Sequence, residues 1–408
     1  MNHEIHSESR AVLAHLTIQQ EGQEYTIGDP LIPKFIRVPE PAVLVIELAD
    51  GNRTLHDIKE LIQQEKGIDV NVVDFVTKLL ALGLVFSIDG RKIVDYDTIQ
   101  APRHESWQVK VGRILFHKWM ARLYMMNVVV IILLYAFNPS LLPHFRDAFL
   151  LNGIGANALL IFVISSIQIV IHECGHFFAA VSRGVKTNIR FSIRYVFVAV
   201  ETQMTGLWAH PKKKRYLPYL AGMAWDCTLL LICLLMQLSA IESTFVFELS
   251  RLIALALFFS VLSQFLFFLR TDVYYVVVNW TNSANLHQSS KTFLRSRVPY
   301  KREESKGQWK RLPSGEKRAA KVFSFFYIFG IATLTFILIA FTIPASVTGL
   351  SMAFHQVADF AFDSVSFWDG AIILLLMLLR LSLYVIGAKN VFRNRKIRKR
   401  ELKAIGVR

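Results

Sequence analysis

The chain has 408 residues, 53% of them hydrophobic, and a formal net charge of +15. A single soluble core stops growing well before this length, so several units are expected. The first hundred residues carry a net −7, which leaves +22 for the rest, and the acidic front excludes nucleic-acid binding there because attraction to phosphate dominates that affinity.

In chain order, residues 10–98 read as a small α+β domain. "HLTIQQ", "EYTIGD" and "FIRVPE" have strand composition. "PAVLVIELADG" has helical spacing and meets Gly51, a typical C-cap residue. "TLHDIKELIQQEKG" opens on Thr54 as N-cap and closes on Gly67. "DVNVVDFVTKLLALGLV" is a third helix, and Asp89-Gly90 in "VFSIDGRKI" marks a turn. Strands, three helices and a final strand describe a winged-helix-like unit. The first thirty residues hold no apolar run, so no cleavable signal peptide is expected.

Residues 99–118 form a linker expected at the membrane surface. Six apolar blocks of bilayer length follow, near 119–137, 156–181, 216–240, 250–269, 319–344 and 370–387. They divide into a core at 119–285, a basic loop at 286–318, two further spans at 319–387 and a basic tail at 388–408. The expected fold class is therefore mostly α: a polytopic membrane protein preceded by the small α+β domain. Basic segments ("RGVKTNIRFSIR" with "KKKR", "KTFLRSRVPYKREESKGQWKR", "RNRKIRKRELK") alternate with connections at 138–155, 241–249 and 345–369. Those connections hold one Lys or Arg, Arg146. The positive-inside rule then places both termini and both long basic loops in the cytoplasm. Cys174, Cys227 and Cys233 all fall in apolar segments and form no disulfide framework.

The second block ends in "IQIVIHECGHFFAAV". Ionisable groups at membrane depth cost roughly a few kcal/mol each and are functional candidates by default. His172, Glu173 and His176 fit H-E-x-x-H. Positions i and i+4 share a helix face, so both imidazoles reach one zinc ion while Glu173 stands beside them as general base. A catalytic zinc needs a third protein ligand. Two aspartates qualify: Asp226 in "LAGMAWDCTLLL" and Asp272 in "FFLRTDVYYVV". Asp226 also suits a supporting contact to a ligand, and Asp272 an interfacial pair with Arg270. The remaining histidines, His287 among them, stand alone and read as surface or interfacial residues.

HECGH on a spanning helix, the strand-like "IRFSIRYVFVAVETQMTGLW", "KKKR", "LAGMAWD" and "RTDVYY" together resemble the intramembrane zinc metalloproteases of the site-2-protease class. Within that class the chain is similar to the branch that matures small peptides. The resemblance spans roughly residues 110–285. It implies a zinc metalloendopeptidase in the cell membrane, with Glu173 catalytic and His172, His176 and Asp272 on the metal. The last motif usually reads Asp-Gly-Tyr-Tyr, and Val273 replaces its glycine. Gly222-Met223 stands where the family has Gly-Pro, with Asp226 at or near the family's asparagine. Residues 10–98 resemble a PqqD-like domain, the leader-recognition module of ribosomally made, modified peptides. That implies a precursor peptide as partner, besides membrane lipid and further maturation or export enzymes. The rival readings are a non-catalytic receptor, immunity or export partner, and a metal-ion transporter. The first, fifth and sixth spans offer no acids along a transport path.

Overall fold

The computed structural model describes residues 5–32, 34–94, 105–195, 197–239, 244–298, 302–358 and 360–404. The N-terminal unit opens with β1 (Ala11–Val12), β2 (Thr17–Glu21), β3 (Glu24–Asp29) and β4 (Lys34–Val38). β2, β3 and β4 form an antiparallel sheet in that order. Helices α1 (Glu40–Leu48), α2 (Leu55–Lys66) and α3 (Val72–Ala81) follow. β5 (Ser87–Ile88) and β6 (Arg91–Lys92) then turn at Asp89 and Gly90, both at positive φ. β5 returns to pair with β1, closing the unit. Leu13, Ile27, Ile46, Leu55, Ile58, Leu79 and Leu84 fill a core of its own.

Local chemistry explains the helix ends. The Thr54 hydroxyl accepts from the Asp57 amide while the Asp57 carboxylate accepts from the Thr54 amide, a reciprocal cap. Gly67 closes α2 in the left-handed conformation. Gly51 does not cap α1, which stops at Leu48 because Asp50 is drawn into a bridge with Val12. Residues 95–98 of the expected domain and 99–104 of the linker lie outside the described residues. The rest of the linker is α4 (Ser106–Leu115), which packs on the span carrying the HECGH motif.

Six helices among the described residues are long and apolar enough to cross a membrane, the architecture of a multi-pass membrane protein. Four belong to the core: α5 (Lys118–Phe137), α6 (Ile154–Val181), α7 (Lys212–Leu238) and α8 (Thr244–Gln264). Between α6 and α7 lie β7 (Asn188–Arg194) and β8 (Phe197–Gln203), paired antiparallel. After α8 come α9 (Asp272–Trp280), α10 (Leu286–Arg297) and α11 (Arg302–Arg311). The last two spans are α12 (Ser314–Ile337) with α13 (Ile343–Ala358), and α14 (Val365–Ala404). Large apolar side chains such as Met125, Phe325, Phe329 and Leu375 point outward and exposed. Such a surface belongs against hydrocarbon.

The fifth span departs from the sequence expectation. It does not end at 344 but continues to Ala358, through a π-helical turn at Leu338–Thr342. The wider turn absorbs Pro344, whose missing N–H would otherwise break the ladder. Much of the expected 345–369 connection is thus helix, and α13 packs along α14.

Two tertiary contacts hold the site's frame. Asp369 of α14 caps the start of α6, accepting from the amides of Ile154, Gly155 and Ala156 at 3.1, 2.7 and 3.2 Å. Carboxylates belong there, because the first amides of a helix lack internal partners and the dipole is positive. At the other end, Arg215 of α7 is fully buried. It donates to the carbonyls of His210 and Trp208, pairs with Glu21 at the end of β2, and stacks over the Trp208 ring. Arg37 of β4 also reaches the Asn282 carbonyl. The N-terminal sheet is therefore seated on the core, at the single-turn helix Thr205–Ala209 that follows β8.

Candidate metal centre

α6 carries His172, Glu173 and His176, all buried. α7 packs against this face so closely that only glycine fits at two positions. A Cβ at Gly175 would meet the Ala221 carbonyl at 2.8 Å, and one at Gly222 would meet the His172 ring at 2.4 Å. The polar groups brought across by this approach orient both imidazoles. Asp226, fully buried, accepts from His172 Nδ1 at 2.8 Å and from the Ser260 hydroxyl at 2.9 Å. The Pro218 carbonyl accepts from His176 Nδ1 at 2.9 Å.

These partners fix the tautomers. A carboxylate and a carbonyl only accept, so each Nδ1 donates its proton to its partner, which leaves each Nε2 as the atom able to bind a metal. The two Nε2 atoms lie 3.2 Å apart, and each lies 3.0 Å from Asp272 Oδ2. Two imidazole nitrogens and one carboxylate oxygen thus converge. A tetrahedral ion with bonds of about 2.0–2.1 Å needs ligand atoms about 3.3 Å apart. The donor set therefore fits zinc in chemistry and in spacing, with carboxylate and carbonyl partners behind the imidazoles as metal-bound histidines require.

Asp272 arrives by a break in the chain. α8 ends at Gln264, a short 3₁₀ turn spans Phe267–Leu269, and Arg270 adopts φ 65°. A left-handed non-glycine residue costs of order 1–3 kcal/mol, and such strain collects at functional sites. The reversal starts α9 at Asp272, whose amide donates to Gln264 Oε1 at 3.2 Å. Asp272 pairs with the imidazoles rather than with Arg270.

Glu173 is held apart from this trio. Its Oε2 accepts from the Thr202 amide at 2.7 Å and from the Thr202 hydroxyl at 2.6 Å. It still lies within 4.8 Å, ligand atom to ligand atom, of both histidines. Thr202 of β8 is the positioning residue that sequence reasoning missed. It carries no chemistry visible in a motif, and only the strand-like character of its segment signalled that an ordered element lay there.

Asp226 and Asp272 thus occupy different places: Asp272 with the two Nε2 atoms, Asp226 behind His172. Cys174, next to Glu173, is a free, half-buried thiol. His287 departs from the surface reading. Its ring lies edge-on to Tyr327 at 5.2 Å and near Phe323. Comparison with protein-family models, with curated proteins and with solved structures finds no match to this chain.

Proposed function

We propose that this chain is an intramembrane zinc metalloendopeptidase that cleaves a small ribosomally made peptide precursor near the cytoplasmic face of the cell membrane. The observation that carries the reading is the convergence of two imidazole nitrogens and one carboxylate oxygen, with a further carboxylate fixed beside them by Thr202. His172, His176 and Asp272 would hold the ion. Zinc supplies Lewis acidity towards a carbonyl and lowers the pKa of a bound water to ~7. Glu173 takes the proton of the attacking water and later delivers it to the leaving amine. Thr202 leaves the second oxygen of Glu173 for that transfer.

The scissile segment must be extended, because a helix hides its carbonyls. β8 offers it a neighbouring strand. The N-terminal domain, which resembles a PqqD-like module, would receive the leader on the same side as the hairpin. A metal site that merely stores or passes an ion has no need of a second carboxylate fixed beside the imidazoles by two hydrogen bonds.

The test is Glu173→Gln. The variant should retain zinc, measured by elemental analysis of the purified chain, and lose cleavage of a mixture of short random-sequence peptides read by mass spectrometry. A variant that cuts at the parent's rate removes Glu173 from the base role.

A further inference from the structure

We propose that Ser260 and Gln264 of α8 are positioning residues of the metal centre, one for each of its two aspartates. The inference rests on reading the site as a metal centre, and on nothing that the loaded centre does to a peptide.

Ser260 and Gln264 stand four apart at the end of α8 and so share one face of that helix. The face meets both aspartates, although these come from different elements. The Ser260 hydroxyl donates to Asp226 Oδ2 at 2.9 Å, and the same oxygen accepts from His172 Nδ1 at 2.8 Å. Asp226 Oδ1 has no partner among the described residues. The orientation of this fully buried carboxylate is therefore set at one atom, between one imidazole and one hydroxyl. Without the hydroxyl, the carboxylate that should orient His172 is restrained by His172 alone.

One turn further on, Gln264 closes the reversal that delivers Asp272. Its side-chain oxygen accepts from the Asp272 amide at 3.2 Å, and its main-chain carbonyl accepts from the Thr271 hydroxyl at 2.5 Å. The Asp272 amide opens α9 and has no acceptor inside that helix. Two bonds from one residue thus close the base of the turn that contains the left-handed Arg270. A strained turn persists only where its surroundings over-determine it. The aspartate side chain is short, so the place of its backbone decides whether Oδ2 reaches the two Nε2 atoms.

α8 is itself held firmly enough to serve as this reference. Ala254 and Leu257 are buried in one cluster with Leu230 and Leu234 of α7. Nearer its start, Arg251 donates to both oxygens of Asp147 at 2.8 and 3.2 Å. His172, through Asp226, and Asp272, through its own amide, are registered against the same rigid helix. Partners of this kind, outside the ligands themselves, tune metal affinity.

The experiment uses the full chain in lipid nanodiscs. Zinc affinity is read by competition with a chromophoric chelator, and thermal unfolding is recorded on the metal-free chains. Ser260→Ala and Gln264→Met should each weaken zinc binding about tenfold, the effect of losing an outer partner of a ligand. Ser260→Thr keeps the donor and Gln264→Glu keeps the acceptor, so both should restore affinity. Ser260→Ala added to Asp226→Asn should cost nothing further, because Ser260 acts through Asp226, whereas Gln264→Met added to Asp226→Asn should weaken binding again. Wild-type affinity in both Ser260→Ala and Gln264→Met overturns the assignment. So does an additive loss in the Ser260→Ala, Asp226→Asn pair. A metal-free single variant that unfolds at a lower temperature than the metal-free parent also overturns it, since the residue would then serve packing. A wild type that takes up no zinc overturns the metal reading, and this inference with it.

Discussion

Glu21 and Arg215 form an ion pair in which neither side chain sees water, 2% and 0% exposed. The N-terminal domain is thus locked to α7 rather than loosely tethered. Breaking one side of such a pair leaves a buried charge uncompensated and costs about 3–5 kcal/mol, whereas replacing both partners by apolar groups is often near neutral. Glu21→Ala should therefore lower the unfolding temperature strongly, and Glu21→Ala with Arg215→Met should recover much of it. Removal of residues 1–98 should likewise lower the unfolding temperature, because it takes Glu21 away from Arg215. Thermal unfolding of the purified proteins in detergent decides this. A single variant as stable as the parent would show that the domain is not locked.

The two aspartates should separate by metal content. Asp272→Asn removes a member of the converging trio and should lose nearly all zinc. Asp226→Asn keeps the trio but weakens the orientation of His172, and should bind zinc about 10–100-fold less tightly. Elemental analysis after dialysis against graded chelator gives the ranking. The reverse order would put Asp226 on the metal.

Gly222→Ala should destroy the centre without touching a ligand, because its new methyl would overlap the His172 ring. Gly349→Ala, where nothing lies within 4 Å, serves as the control. Zinc content should fall in the first and hold in the second. Full occupancy in Gly222→Ala would mean that α6 and α7 can part at no cost.

Acid should weaken the packing around His287. Burial, then Lys291 and Arg270, lower this imidazole from 6.5 to about 4. Between those values the unfolded chain binds the proton and the folded chain does not, so stability is complete above about 6.5 and falls as pH drops towards 4. Melting temperatures of wild type and His287→Phe, recorded from neutral pH downward, should converge as the wild type loses its advantage. Parallel curves would assign the acid sensitivity to other groups.

The parts of this structure that were readable in sequence are those set by neighbours along the chain. The i, i+4 histidines, the Thr54 and Gly67 caps, the Asp89-Gly90 turn and the apolar spans each follow from local spacing or residue chemistry. The roles of Asp226 and Asp272 were not separable that way. They lie 54 and 100 residues from His172, and the break at Arg270 that delivers Asp272 has no periodic signature. Thr202, Arg215 and Asp369 escaped for the same reason: each bridges to an element distant in the chain. The run to Ala358 was missed because a π turn that accommodates Pro344 leaves no mark in composition.

The Asp369 cap also fixes when the centre can exist. Ile154 and Asp369 are 215 residues apart, and α14 leaves the ribosome after the five other spans among the described residues. Until it inserts, the first amides of α6 sit at the membrane boundary without their carboxylate, and the helix that bears His172, Glu173 and His176 lacks its final anchor. A half-made chain therefore carries the whole motif but not its settled frame. Whatever chemistry this centre performs must wait until α14 is in place.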